Sequence, residues 1–300
     1  MTITNFHLTA LKSTCGEADL LVALRTLSKV NRPLYVGRCH HWIHAPHLST
    51  DALTSASNRM HRWDYLIVHE ASIQETLALP GGTSGPLAGL IERKWSITGN
   101  VDEGMLSGYG VAQERRASAT VPSLPPGWNL KDHSGLDAAI PPSDVEASLA
   151  LSSHPLGASD IDSATPVILK DFVQIFGTEN DRPVDMMNLL SYHPGQRPRY
   201  FEYIAAFGAS VGSRYGGDAM FLGVNVSDWS SKALEASTSQ NTSAKEAWDD
   251  FALVHYPSIW HFGKMLDDPD YVDVDRRFKT GALRDNPILC CTEVEIEYKD

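Results

Sequence analysis

One short stretch of this chain occurs twice, and the repeat limits the fold to something built from two related halves. Residues 62–72 read RWDYLIVHEAS and residues 247–258 read AWDDFALVHYPS. Set 186 residues apart, Asp64 meets Asp250, Val68 meets Val254, His69 meets His255 and Ser72 meets Ser258. The same spacing lays Tyr35-Val36-Gly37 on Phe221-Leu222-Gly223. Two separate matches at one spacing point to a duplicated unit, although Trp63 and Trp248 slip by one place.

The second copy is the clearer. Pro183–Ser191 is a short apolar run suited to a buried strand. Arg199–Arg214 carries Tyr200, Tyr203, Ile204, Phe207 and Val211 at helical spacing, and Gly216-Gly217 stops it. Strands are predicted over Ala219–Val226, Phe251–Tyr256 and Ile288–Tyr298, with helical stretches at Ile259–Leu266 and Asp270–Phe278. That order, β-α-β-β-α-β, is a ferredoxin-like unit. In the first copy, Phe6–Leu11, Leu34–Ile43 and Tyr65–Glu70 read as strands, and Ala18–Val30 and Pro86–Trp95 as helices. A last strand is expected within 95–112. Residues 117–164 have the Pro, Ser and Ala content of a linker. The expected division is a degenerate N-terminal unit (1–116), a linker (117–164) and a C-terminal unit (165–300).

Charge and cysteine content narrow the function. Lys and Arg number 25 against 37 Asp and Glu, a formal charge of −12, which disfavours a nucleic-acid or anionic-membrane partner. No apolar run reaches the length of a membrane-spanning helix, and the N-terminus lacks the basic start and apolar core of a secretory signal. Four cysteines without a CxxC pair read as reduced thiols in a cytoplasmic protein. No GxGxxG after a strand, GxxxxGK[ST], HExxH or GxSxG occurs, which disfavours nicotinamide, nucleotide and serine-hydrolase chemistry.

Met187-Asn188-Leu189-Leu190, Gly216-Gly217, Trp248-Asp249, Val254-His255-Tyr256-Pro257-Ser258 and Asp268-Pro269-Asp270-Tyr271 with Arg276-Arg277 together resemble the dimeric α/β-barrel superfamily, in its DUF1330-like branch. The pattern covers residues 183–298. Such proteins pair two ferredoxin-like units so that their sheets close. The resemblance therefore implies an α+β fold in which tandem units form an intramolecular pseudo-dimeric α/β barrel, as monomer or homodimer. Superfamily activities include cofactor-free oxygenation, polyketide cyclisation, isomerisation and haem chemistry, so fold alone does not choose the reaction. Tyr271 falls where a plant polyketide cyclase of this fold has its catalytic His, and Met265 where it has a Tyr. That acid–base pair is not carried over as it stands.

Candidate site residues follow from residue type and place. His69 and His255 end apolar third strands at repeat-equivalent positions and titrate near neutral pH, which suits proton transfer. Tyr203 and Tyr271 can donate a phenol proton to a developing oxyanion, and Asn188 can offer its amide. Arg214 and Arg276 are candidates for binding a carboxylate or enolate, and Trp260 for an aromatic wall. In HHWIHAPH (40–47), strand alternation sets His40 and His41 on opposite faces, so no metal site is expected and His41 is read as a substrate contact.

The expectation is a cofactor-independent enzyme acting on a small polyketide- or terpenoid-like intermediate by acid–base cyclisation, isomerisation or dehydration. The alternatives are a cofactor-free monooxygenase of a phenolic substrate, a non-catalytic small-molecule binder, or a haem protein using one of the 12 histidines.

Overall fold

A computed structural model describes residues 2–48, 53, 63–71, 79–82, 85–118, 176–177, 182–227 and 248–298. The first half runs β1 (Thr2–Leu11), α1 (Glu17–Arg25), β2 (Tyr35–His44), β3 (Tyr65–Glu70), β4 (Ile91–Val101) and α2 (Glu103–Ser118). The second runs β5 (Val184–Tyr192), α3 (Arg197–Phe207), β6 (Asp218–Ser227), β7 (Asp250–Tyr256), α4 (Ile259–Leu266), α5 (Pro269–Val274), β8 (Leu283–Asp285) and β9 (Ile288–Glu293). Eight of the strands form one ring, β4-β1-β3-β2-β9-β5-β7-β6 and back to β4, and every pairing is antiparallel. Closure leaves these strands no open sheet edge. The short β8 pairs with one end of β5.

This closed antiparallel β-barrel with a few helices overturns the expected tandem ferredoxin-like α/β barrel. The strand order does repeat between halves, β4-β1-β3-β2 matching β9-β5-β7-β6. The helical layer does not. Residues 86–95, expected as a helix, run through turns into β4. Their partner is β1, matched from Thr2↔Val101 to Leu11↔Ile91. That long ladder overrides a local pattern that reads as helical. The second helix of this half instead follows β4, as α2. Beyond Ser118 the expected linker lies outside the described residues.

Alternation along the strands sorts side chains between the barrel's interior and its outer face. Phe6, Leu66, Val68, Trp95, Met187 and Phe251 are buried in one central cluster. The rings of Phe6 and Phe251 lie 3.7 Å apart, so the barrel is packed rather than open. One end is closed by α2. Its Tyr109 stacks on Phe221 at 4.9 Å and donates to Glu293 Oε1 at 3.0 Å, and Gln113 donates to the same oxygen at 2.7 Å. Arg116 pairs with Asp218 at 3.1 Å. No helix among the described residues is long and apolar enough to cross a membrane.

Candidate functional site

The outer face of the second half carries the site. On β5, Met187 and Leu189 point inward, so Met186, Asn188 and Leu190 point out. On β7 the outward set is Ala252, Val254 and Tyr256. Over them, α3 lays Tyr200, Tyr203, Ile204 and Phe207, the i, i+3, i+4, i+7 face of an amphipathic helix. Phe262, Met265 and Leu266 of α4 and Tyr271 of α5 close the space. A cavity of about 180 Å³ remains. It is slightly larger than the roughly 150 Å³ apolar cavity known to hold benzene, so it has room for a small ring compound.

Aromatic rings line one wall as a ladder. Tyr200 and Tyr203 are 5.3 Å apart, Tyr203 and Phe207 5.8 Å, and Phe207 and Tyr271 6.3 Å. Polar groups enter at few points. Tyr271 is placed beside Tyr203 and the Asp275 carboxyl, near enough for each to influence its phenol. Burial holds both phenols well above their ordinary pKa, so both are neutral donors. Among the described residues the Tyr256 hydroxyl meets only a weak acceptor, Met265 Sδ at 3.5 Å.

Two π-helical turns border the cavity, Gly208–Gly212 after α3 and Asp275–Lys279 after α5. Such wide turns re-aim side chains and concentrate at functional sites. The second brings Lys279 into the lining, 5.6 Å from the Tyr203 ring centroid. Its Nζ is 3.9 Å from Asp275 Oδ1, an ion pair too long for a hydrogen bond. Burial pulls the Lys279 ammonium down against the pull of Asp275, and pushes the Asp275 carboxyl up against Lys279 and Tyr271. His44, at the end of β2, is the one lining residue from the first half among the described residues. Burial, helped by Lys279, pushes its imidazole down to about 3.

The expected site residues therefore separate. Tyr203, Tyr271 and Asn188 line the cavity together. Asn188 Nδ2 donates to Met186 O at 2.9 Å, and its Oδ1 accepts from Asn286 at 3.3 Å, so much of its amide is used within the protein. His255 faces the barrel interior instead. Its Nδ1 is 2.9 Å from Asp185 Oδ1, and Tyr35 donates to Asp185 Oδ2 at 2.8 Å. His69 faces outward on the first half, with Nε2 2.9 Å from His7 Nε2 and Nδ1 2.7 Å from Glu70 O. The two histidines, expected to be equivalent, lie on opposite faces of the barrel wall. Arg214 is spent on Asp268 (2.7 Å) and Asp270 (2.8 Å), and Arg276 is exposed. Trp260 is buried beside the cavity in the packing around α4.

His41 lines a different space, an open cleft of about 960 Å³ on the first half, and His40 lines it too. They were expected to face apart. A register shift between Cys39 and His41 in the β2–β9 ladder breaks the alternation. Polar groups in that cleft satisfy one another, with Glu17 accepting from both Arg38 and Tyr65. The second-half cavity, the more enclosed of the two, is the better site. Lys279, Asp275, His44 and Tyr256 were not among the expected residues. Tyr200 showed only as part of an apolar helix face, and Lys279 lies one residue beyond the expected helical stretch Asp270–Phe278.

No known family model and no curated protein matches the chain. Two solved structures resemble part of it. The methylated RPA0582 protein is 21% identical over 42% of this chain and 92% of its own, with a TM-score of 0.31. The RPA0582 protein of unknown function from Rhodopseudomonas palustris is 20% identical over 44% and 95%, with a TM-score of 0.30. Values this low leave fold and function to rest on the chain's own residues.

Proposed function

We propose that this protein is a cofactor-independent enzyme that binds a small, largely apolar carbonyl compound in the second-half cavity and activates it as an enol or enolate, the α-proton passing to a base in the lining, His44 or Lys279. A polyketide- or terpenoid-like intermediate fits that description, and cyclisation, isomerisation or dehydration are the reactions an enolate supports. The carrying observation is the pair of buried phenols, Tyr203 and Tyr271, gathered beside buried Asp275 on an apolar cavity that Lys279 also lines. Neutral phenols in a dry site stabilise negative charge on a carbonyl oxygen far better than they do in water. The resemblance of residues 183–298 to the DUF1330-like branch points to the same half.

Hydrogen exchange tests this without knowledge of the natural substrate. Cyclohexanone incubated with the protein in D2O is followed by NMR. The expected result is α-deuteration faster than in buffer, slowed roughly 100-fold in Tyr271→Phe, the usual loss for one oxyanion donor. Exchange no faster than in buffer would overturn the acid–base reading.

A further inference from the structure

Lys279 is buried in a way lysines avoid. Their long stems normally carry the ammonium to water, but this side chain is only 10% exposed and ends in the wall of an apolar cavity. Its charge partner, Asp275, stands at 3.9 Å with Oδ1 unbonded among the described residues. The groups facing Nζ are Asp275, the Tyr203 ring and His44. The pair is thus loosely held, in a site with phenols at hand.

We propose that Lys279 captures aldehydes or ketones covalently, its Nζ adding to the carbonyl carbon to form an imine. This deepens the reading above and rests on its carbonyl-binding cavity. The nitrogen lone pair forms the C–N bond while the C=O π pair moves to oxygen, which takes a proton from the Tyr203–Tyr271 pair. Nitrogen then expels that oxygen as water. Over both steps nitrogen gives up its two hydrogens, which leave in the water molecule by way of the phenols. Carbonyl plus amine becomes imine plus water, with no oxidant or reductant. A surface lysine is neutral in only about one molecule in 2,500 at pH 7, so desolvation favours this amine over its neighbours. The imine would replace the enolate with an enamine as the activated species.

Benzaldehyde with sodium cyanoborohydride is the probe, read by intact mass and peptide mapping of the full chain. Benzyl alcohol, which has the ring but no carbonyl, reports cavity binding by a shift in melting temperature. The expected result is one reduced adduct, on Lys279, lost in Lys279→Met and in Lys279→Arg. Lys94, exposed on β4 and outside the cavity, is an internal control. If benzyl alcohol binds and Lys279 is modified no sooner than Lys94 or the surface lysines, the imine is overturned and the cavity stands. If benzyl alcohol does not bind, the cavity reading falls, and this inference with it.

Discussion

Asp64 and Asp249 make the same two bonds at the heads of β3 and β7. Each donates its backbone N–H at 2.8 Å to a carbonyl of the half's first strand, Thr9 or Leu190. Each accepts with Oδ2, again at 2.8 Å, the N–H two residues further along, of Leu11 or Tyr192. These aspartates are 185 residues apart, as are the buried Trp63 and Trp248. Tyr35 and Phe221, both interior, keep the spacing of 186. The stretch between the second and third strands is therefore one residue shorter in the second half than in the first. A one-residue slip moves a side chain to the other face. That is why His69 and His255 match in the sequence and not in space.

Removing either carboxylate leaves a strand-head N–H without its acceptor. Asp64→Ala and Asp249→Ala are each expected to cost about 1–2 kcal/mol, read as a lower urea midpoint at unchanged slope. Full stability in both variants would deny the aspartates this role.

Gly223 faces Phe251 across the β6–β7 ladder, and a Cβ there would come within 2.0 Å of the ring. At Gly37 a Cβ would meet the Tyr35 ring at about the same closeness, 2.4 Å from its hydroxyl. Gly223→Ala should destabilise by roughly 1–3 kcal/mol, because a packed barrel interior has little room to yield. Thermal unfolding checks it.

His255 holds Asp185 inside the barrel, away from the cavity. His255→Ala strands a buried carboxylate oxygen and should cost about 1–3 kcal/mol, while benzyl alcohol binds as in the wild type. Lost binding with unchanged stability would return His255 to the site.

Acid should weaken the fold through His44 and His40. Their folded pKa values are pushed down, to about 3 and about 4, from an ordinary 6.5. Below 6.5 the unfolded chain takes up protons that the folded one refuses, so their stability contribution is whole above pH 6.5 and drains as pH falls towards those values. The buried Asp275 and Glu293 carboxyls, pushed up by burial, run the other way. Comparing wild type with His44→Gln isolates one group. Between pH 6 and 5 the variant should lose less stability per pH unit, by up to about 1.4 kcal/mol. Parallel pH profiles would place His44 in water.

Much of the second half was legible because its signals are local. Ile259–Leu266 is a helix with the expected ends, and β5, β6 and β7 fall within a residue or two of expectation. Tyr203 was legible as a phenol on the apolar face of a helix, and Tyr271 as one near the start of the last helical stretch. Lys279 was not, because its inward aim comes from a π-helical turn, and nothing in DRRFK announces one. The stretch 86–95 misled for the opposite reason, its helical pattern yielding to the ladder with β1.

By itself the sequence determined that the chain is built twice over, which residues prefer to be buried, and which phenols and imidazoles are available. Those follow from periodicity and residue chemistry. Tertiary structure alone decided that the strands close into one antiparallel barrel, which face each histidine takes, and that Lys279 meets Tyr203, Tyr271 and His44 around one cavity. Strand pairing and register depend on contacts between residues far apart in the chain, and a single-residue slip that changes little in a sequence match reverses inside and outside in a β-strand.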